Sequence, residues 1–136
     1  MLVYRYMSLE ELHKVTSGVI MRHRNSFAHN ATNSRGFCFL PESVKFWSES
    51  LQTEVTYTPV DCFRFLYGIV KEGSVLVEFE TEEKLNNSYG IYADPLTDDW
   101  DATISIDELC IDSYDRDSFI PRRFCYPGDE KWYELN

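Results

Sequence analysis

Three short strand-like runs in this 136-residue chain each carry a polar side chain that the apolar pattern does not require. They are Leu2-Val3-Tyr4-Arg5-Tyr6, Gly36-Phe37-Cys38-Phe39-Leu40 and Thr103-Ile104-Ser105-Ile106-Asp107-Glu108-Leu109-Cys110-Ile111. In the third run Ile104 and Ile106 share one parity while Leu109 and Ile111 share the other, so the apolar face changes across Asp107-Glu108. Side chains on a strand alternate with a period of two, and a change of face predicts a bulge or a break, irregularities that often re-aim a side chain beside a site. Glu108 is thereby the leading candidate for chemistry, since a carboxylate held in a partly dry site stabilises positive charge developing on a reacting group. Arg5 offers a planar fork of donors that matches paired oxyanion oxygens in a way lysine does not. Tyr4, Tyr6, Phe37 and Phe39 supply flat faces for stacking, against the commoner fate of strand aromatics, which is burial in a core. Arg5 itself has a plainer alternative, exposure to solvent or pairing with one of the many acids.

The elements that must position these residues read as α+β. Leu2 to Met7 is a first strand, and Ser8 with Glu11 three residues on has the spacing of a capping box that opens a helix stopping at Gly18. Met21 to Arg35 is polar and reads as a long mobile loop. The Phe37–Phe39 strand follows, and Trp47 to Thr58 stays open between a strand and an irregular connection. Thr58-Pro59-Val60-Asp61 supplies a cap, a first-turn proline and a first-turn acid for a second helix with Phe63, Leu66, Tyr67 and Val70 on its apolar stripe. Val75, Val77 and Phe79 alternate with Glu78 and Glu80, which predicts a half-buried strand, and Tyr89 to Ala93 is another candidate. The expectation is one domain over 1–136, a small, mostly antiparallel sheet with two or so short helices, and a polar C-terminal tail over 128–136.

Composition narrows the function classes. A hydrophobic share of 43% and an aromatic share of 15% predict a packed core rather than a disordered chain. No basic start leads into an apolar leader and no run approaches the length of a membrane span, so a cytoplasmic protein without a membrane is expected. Cys38, Cys62, Cys110 and Cys125 are scattered with no Cys-x-x-Cys pair, which supports neither structural zinc nor a disulfide framework and reads as unbridged thiols. The Asp94/Asp98/Asp99/Asp101 cluster lacks the ligand alternation of a calcium loop, and no metal is expected. His13 falls on the first helix, while His23 and His29 stand in the polar segment beside Arg22 and Arg24, solvated or set to meet phosphate or a protein target. The formal charge is −10, and between Asp94 and Asp117 nine acids face one base, Arg116. Such a run is either a solvated face or an anionic surface for a basic partner, and direct nucleic-acid binding is not expected.

Taken in order, Tyr4-Arg5-Tyr6 on the first strand, the aromatic strand Gly36-Phe37-Cys38-Phe39 after a helix and loop, and Glu108-Leu109-Cys110-Ile111 opening a late strand resemble the ADP-ribosyltransferase superfamily. The resemblance is to its small, divergent phage-type members, among them ADP-ribosylating anti-CRISPR proteins, and it spans about Leu2 to Ile111. It implies NAD as cofactor, Glu108 as the catalytic residue that stabilises an oxocarbenium-like sugar, and Arg5, Tyr6, Phe37 and Phe39 as the dinucleotide-binding set. It further implies mono-ADP-ribosylation of a protein target, such as a nucleic-acid-binding bacterial defence complex, in a host cytoplasm. Phe37-Cys38-Phe39 stands where that family has Ser-Thr-Ser, and Asp107-Glu108 differs from the Glu-x-Glu or Gln-x-Glu of its arginine-modifying members. The alternative of another class is a non-catalytic acidic inhibitor or interaction protein that imitates nucleic acid and occupies a basic groove on its partner.

Overall fold

The computed structural model describes residues 1–22, 36–48, 51–59, 74–91, 103–126 and 131–135, with the backbone alone at 44, 46, 48, 55, 57, 86–91 and 103–108. Along the chain come β1 (Leu2–Ser8), α1 (Leu9–Thr16), β2 (Met21–Arg22), β3 (Phe37–Pro41), β4 (Val44–Ser48), β5 (Thr53–Tyr57), β6 (Ser74–Glu80), β7 (Asn86–Ile91), β8 (Thr103–Ile111), β9 (Ser113–Tyr114), β10 (Ile120–Cys125) and β11 (Tyr133–Glu134). Seven of these form one sheet in the order β11-β10-β6-β1-β3-β8-β7, and every neighbouring pair in it is antiparallel. β4 and β5 form a separate hairpin, and β2 pairs with β9. The mostly antiparallel sheet is as expected, and with one helix among the described residues the architecture is α+β or mainly β. Of the second helix expected from Thr58 onward, all beyond residue 59 lies outside the described residues.

β1 is central because its seven residues pair along their whole length with β6, from Leu2 opposite Glu80 to Ser8 opposite Ser74. The pleat puts Val3, Arg5 and Met7 on one side and Tyr4 and Tyr6 on the other. α1 folds back over the first side, where Leu12 and Val15 complete a core with Val3, Met7, Phe37, Phe39, Val75, Val77, Phe79, Leu109, Tyr114 and Phe119. The helix begins where its cap predicts: Ser8 Oγ accepts the Glu11 N–H at 3.1 Å. It ends as Ser17 and Gly18 donate back to His13 and Val15 at 3.0 Å each, with Gly18 at a positive φ of 88°. Gly36 also has φ of 88°, and a Cβ there would lie 2.4 Å from the Ile111 carbonyl oxygen. Only glycine lets β3 start this close to β8.

Four expectations need correction. Met21–Arg22, assigned to a mobile loop, is β2, held by Ser113–Tyr114; residues 23–35, with His23 and His29, lie outside the described residues. β6 is not half-buried: Val75 through Phe79 are all buried, Leu76 and Glu78 included, because β1 and β10 flank the strand and both faces are covered. The polar C-terminal tail instead contributes β11, the edge strand, with Phe124 and Tyr133 stacked at 5.3 Å. β8 runs unbroken through Asp107-Glu108; what changes there is its partner, since Thr103 to Glu108 pair with β7 and Leu109 to Ile111 pair with β3. The change of apolar parity thus coincides with a change of neighbour rather than with a broken strand.

Candidate functional site

Arg5 is the only charged residue of β1, and it lies on the apolar side of that strand between Val3 and Met7. Its side chain is 16% exposed and the side chain of Glu11 14% exposed. A guanidinium moved out of water needs a carboxylate and satisfied donors. Glu11, one turn into α1, supplies them: Arg5 Nε donates to Glu11 Oε2 at 2.8 Å and Arg5 Nη2 to Glu11 Oε1 at 3.0 Å, a bidentate pair. The Tyr114 hydroxyl donates to Glu11 Oε2 at 2.5 Å, and Arg5 Nη1 reaches the Cys38 carbonyl oxygen at 3.5 Å. The guanidinium carbon sits 5.0 Å from the Phe37 ring centre and 6.0 Å from that of Phe39. Burial works against the Arg5 charge, but the hydrogen bonds and field of Glu11 outweigh it and raise the pKa above its ordinary value.

A matching cluster occupies the other face of β1. Glu78, buried on β6, accepts from the Tyr4 hydroxyl at 2.8 Å and from Arg123 Nε at 3.0 Å, all at Oε2. Arg123 lies over the Trp132 ring at 4.3 Å, and Trp132 is tilted against Tyr4 at 6.3 Å. The two adjacent residues Tyr4 and Arg5 thus each meet a carboxylate on opposite sides of the same strand, and each carboxylate serves one arginine and one tyrosine. Such clusters tie β1 to α1 on one face and to β10 and the C-terminal segment on the other.

Both phenols hold their protons more tightly than free tyrosine. Burial comes first for Tyr4, followed by its hydrogen bond to Glu78; burial comes first for Tyr114, followed by the charge of Glu11. The folded pKa values lie above the unfolded value of about 10, so the stabilisation is fully present below that pH and is lost as pH rises from there towards the raised values. In a spectrophotometric titration at least two of the nine tyrosines are expected to ionise only together with unfolding. Smooth ionisation of all nine in a chain that stays folded would refute both carboxylate contacts.

Of the proposed dinucleotide set, the structure brings Arg5, Phe37 and Phe39 together, but as packing. A stacking surface needs an open ring face; Phe39 is fully buried and Phe37 is 8% exposed. Phe39 lies against Phe119 at 4.5 Å and edge-on to Phe79 and Tyr114 at 5.5 and 5.2 Å. Arg5 would have to give up Glu11 to hold a pyrophosphate. As placed, Arg5 faces Glu11 and the two rings face the core. Tyr6, half-buried, lies on the opposite side of β1 from Arg5. Glu108 sits on β8 opposite Asn86 of β7. The register of β1 and β3, continued by one residue, places Arg5 in the row of Phe39 and Leu109, and Glu108 one row off, on the opposite parity.

Of the residues that organise this region, Tyr114, Arg123 and Trp132 carry no motif, while the sequence marks Glu11 only as a helix-start position and Glu78 only as a polar member of an alternating strand. One signal was present: an arginine with the parity of Val3 and Met7 requires an acid nearby. Among the described residues no group of three or more His, Cys, Asp or Glu could hold a metal ion, and no helix is long and apolar enough to cross a membrane. No family model, curated protein or solved structure matches the chain.

Proposed function

We propose that this protein is a non-catalytic acidic interaction protein that docks on the basic, polyanion-binding surface of a protein partner. The observation that carries this reading is an acid-lined groove of about 640 Å³ at the end of β6, where Glu80, Glu82, Glu83 and Asp117 converge around Thr81 and Ile120. Glu82, Glu83 and Asp117 are exposed. The groove keeps its shape through backbone and side-chain ties: the Thr81 N–H donates to the Met1 carbonyl oxygen at 3.0 Å, and Thr81 Oγ1 donates to the Ser118 carbonyl oxygen at 2.9 Å. Arg122 engages Glu80, and the hydrogen bonds and charge of that guanidinium lower the Glu80 pKa, so the carboxylate stays ionised. A cluster of carboxylates in a chain of net −10 is complementary to a cationic surface and speeds association with it. The ADP-ribosyltransferase expectation draws less support, because it asks Arg5, Phe37 and Phe39 to face a ligand rather than the core.

The test uses a labelled arginine-rich peptide and fluorescence anisotropy. Binding is expected to weaken steeply with salt, and Glu82→Lys with Glu83→Lys is expected to weaken it roughly tenfold. Glu10→Lys with Glu54→Lys changes the net charge equally at positions away from the groove and is expected to change binding little. Equal losses from both pairs would reduce the effect to overall charge and sink the groove as a docking site.

A further inference from the structure

Cys38 and Cys110, far apart in the chain, are direct partners in the antiparallel register of β3 and β8. Their neighbours confirm the alignment, with Phe37 opposite Ile111 and Phe39 opposite Leu109. Residues directly opposite in an antiparallel pair have Cα atoms about 4.5 to 5.5 Å apart and side chains on the same face. That separation falls inside the roughly 4.4 to 6.8 Å range that a disulfide spans. Both residues are thiols and both are partly exposed, whereas Cys125 is buried. Phe37 and Phe39 bury the opposite side of β3, so the cysteines lie on the side away from the aromatic core.

We propose that Cys38 and Cys110 form a cross-strand dithiol, a modification site that is reversibly oxidised to a disulfide by a low-molecular-weight disulfide such as oxidised glutathione. One cysteine loses its proton and its sulfur attacks the reagent, expelling one glutathione thiolate and leaving a mixed disulfide. The second cysteine then loses its proton, attacks the protein sulfur of that mixed disulfide and expels the second glutathione. Two protein thiols become one protein disulfide, and one reagent disulfide becomes two thiols, the two released protons ending on glutathione. The strand register supplies the high local thiol concentration that makes the second step outrun external reduction. The bond would join β3 to β8 at the point where β8 leaves β7, closing the long segment between them.

The experiment equilibrates the full-length protein with glutathione buffers of graded ratio, traps remaining thiols by alkylation and maps peptides by mass spectrometry. A Cys38–Cys110 linked peptide is expected, with an equilibrium constant roughly a hundredfold higher in the folded chain than in urea. Oxidation is also expected to raise the melting temperature by roughly 10 °C, a shift absent in Cys110→Ser and in Cys38→Ser and retained in Cys125→Ser. A mixed glutathione adduct without the bridge, a bridge involving Cys62 or Cys125 instead, or the same equilibrium constant in urea would each overturn the proposal. The wild-type peptide map decides the question even if a serine variant folds poorly.

Discussion

Phe39→Ala is expected to lower the free energy of unfolding by about 4 kcal/mol, against a total on the order of 10 kcal/mol for a chain of this size. The ring is fully buried and meets Phe119, Phe79 and Tyr114 at once, so truncation removes the shared centre of the aromatic cluster. The cavity left behind is bounded by Phe79, Tyr114 and Phe119, and β1 and β6 pair along the full length of β1 in the middle of the sheet, so the site cannot readily collapse inward. Urea denaturation followed by circular dichroism should show a lower midpoint with an unchanged slope. A loss under about 1.5 kcal/mol would mean the ring is not central to the core, which would reopen a ligand-facing role for it. Phe37→Ala, at a ring 8% exposed at the start of β3, is expected to cost less.

How far the chain announces this arrangement differs between elements for physical reasons. β1, α1 and β6 are legible because their signals are local: alternation, a serine cap, a glycine stop. The burial of Glu78 is not, because alternation tells which side chains share a face but not whether a later segment covers that face. Arg123, far along the chain, bonds Glu78, and Trp132 lies against both Arg123 and Tyr4, the two partners of that buried acid. Glu11 is half legible. Its position three residues after Ser8 marks a helix start, yet its carboxylate turns to Arg5 and Tyr114, whose proximity depends on α1 folding back over β1 and on β9 arriving after it. The parity change at Asp107-Glu108 is real in sequence, but a strand that exchanges one neighbour for another produces the same pattern as a bulge. Cys38 and Cys110 show the limit most plainly, since spacing along the chain says nothing about the register between β3 and β8.

The second large effect concerns the charge in the core. Glu11→Ala is expected to destabilise by about 3 kcal/mol, because it leaves the Arg5 guanidinium desolvated without its carboxylate and deprives the Tyr114 hydroxyl of its acceptor. The combined variant Arg5→Met, Glu11→Leu and Tyr114→Phe removes every member of the cluster and keeps its volume. It is expected to lie within about 1 kcal/mol of the parent, since a buried ion pair repays little more than its own desolvation. Recovery of that kind would show that Glu11 matters because Arg5 is there. The same combined variant separates the two functional readings without the confusion of unfolding. If Arg5 holds a dinucleotide, calorimetric titration of the parent with NAD gives saturable heat that the folded triple variant lacks. If the cluster serves β1 and α1 alone, neither protein takes up NAD, and binding of the arginine-rich peptide at the groove of Glu82 and Glu83, which involves none of the three substituted residues, is unchanged.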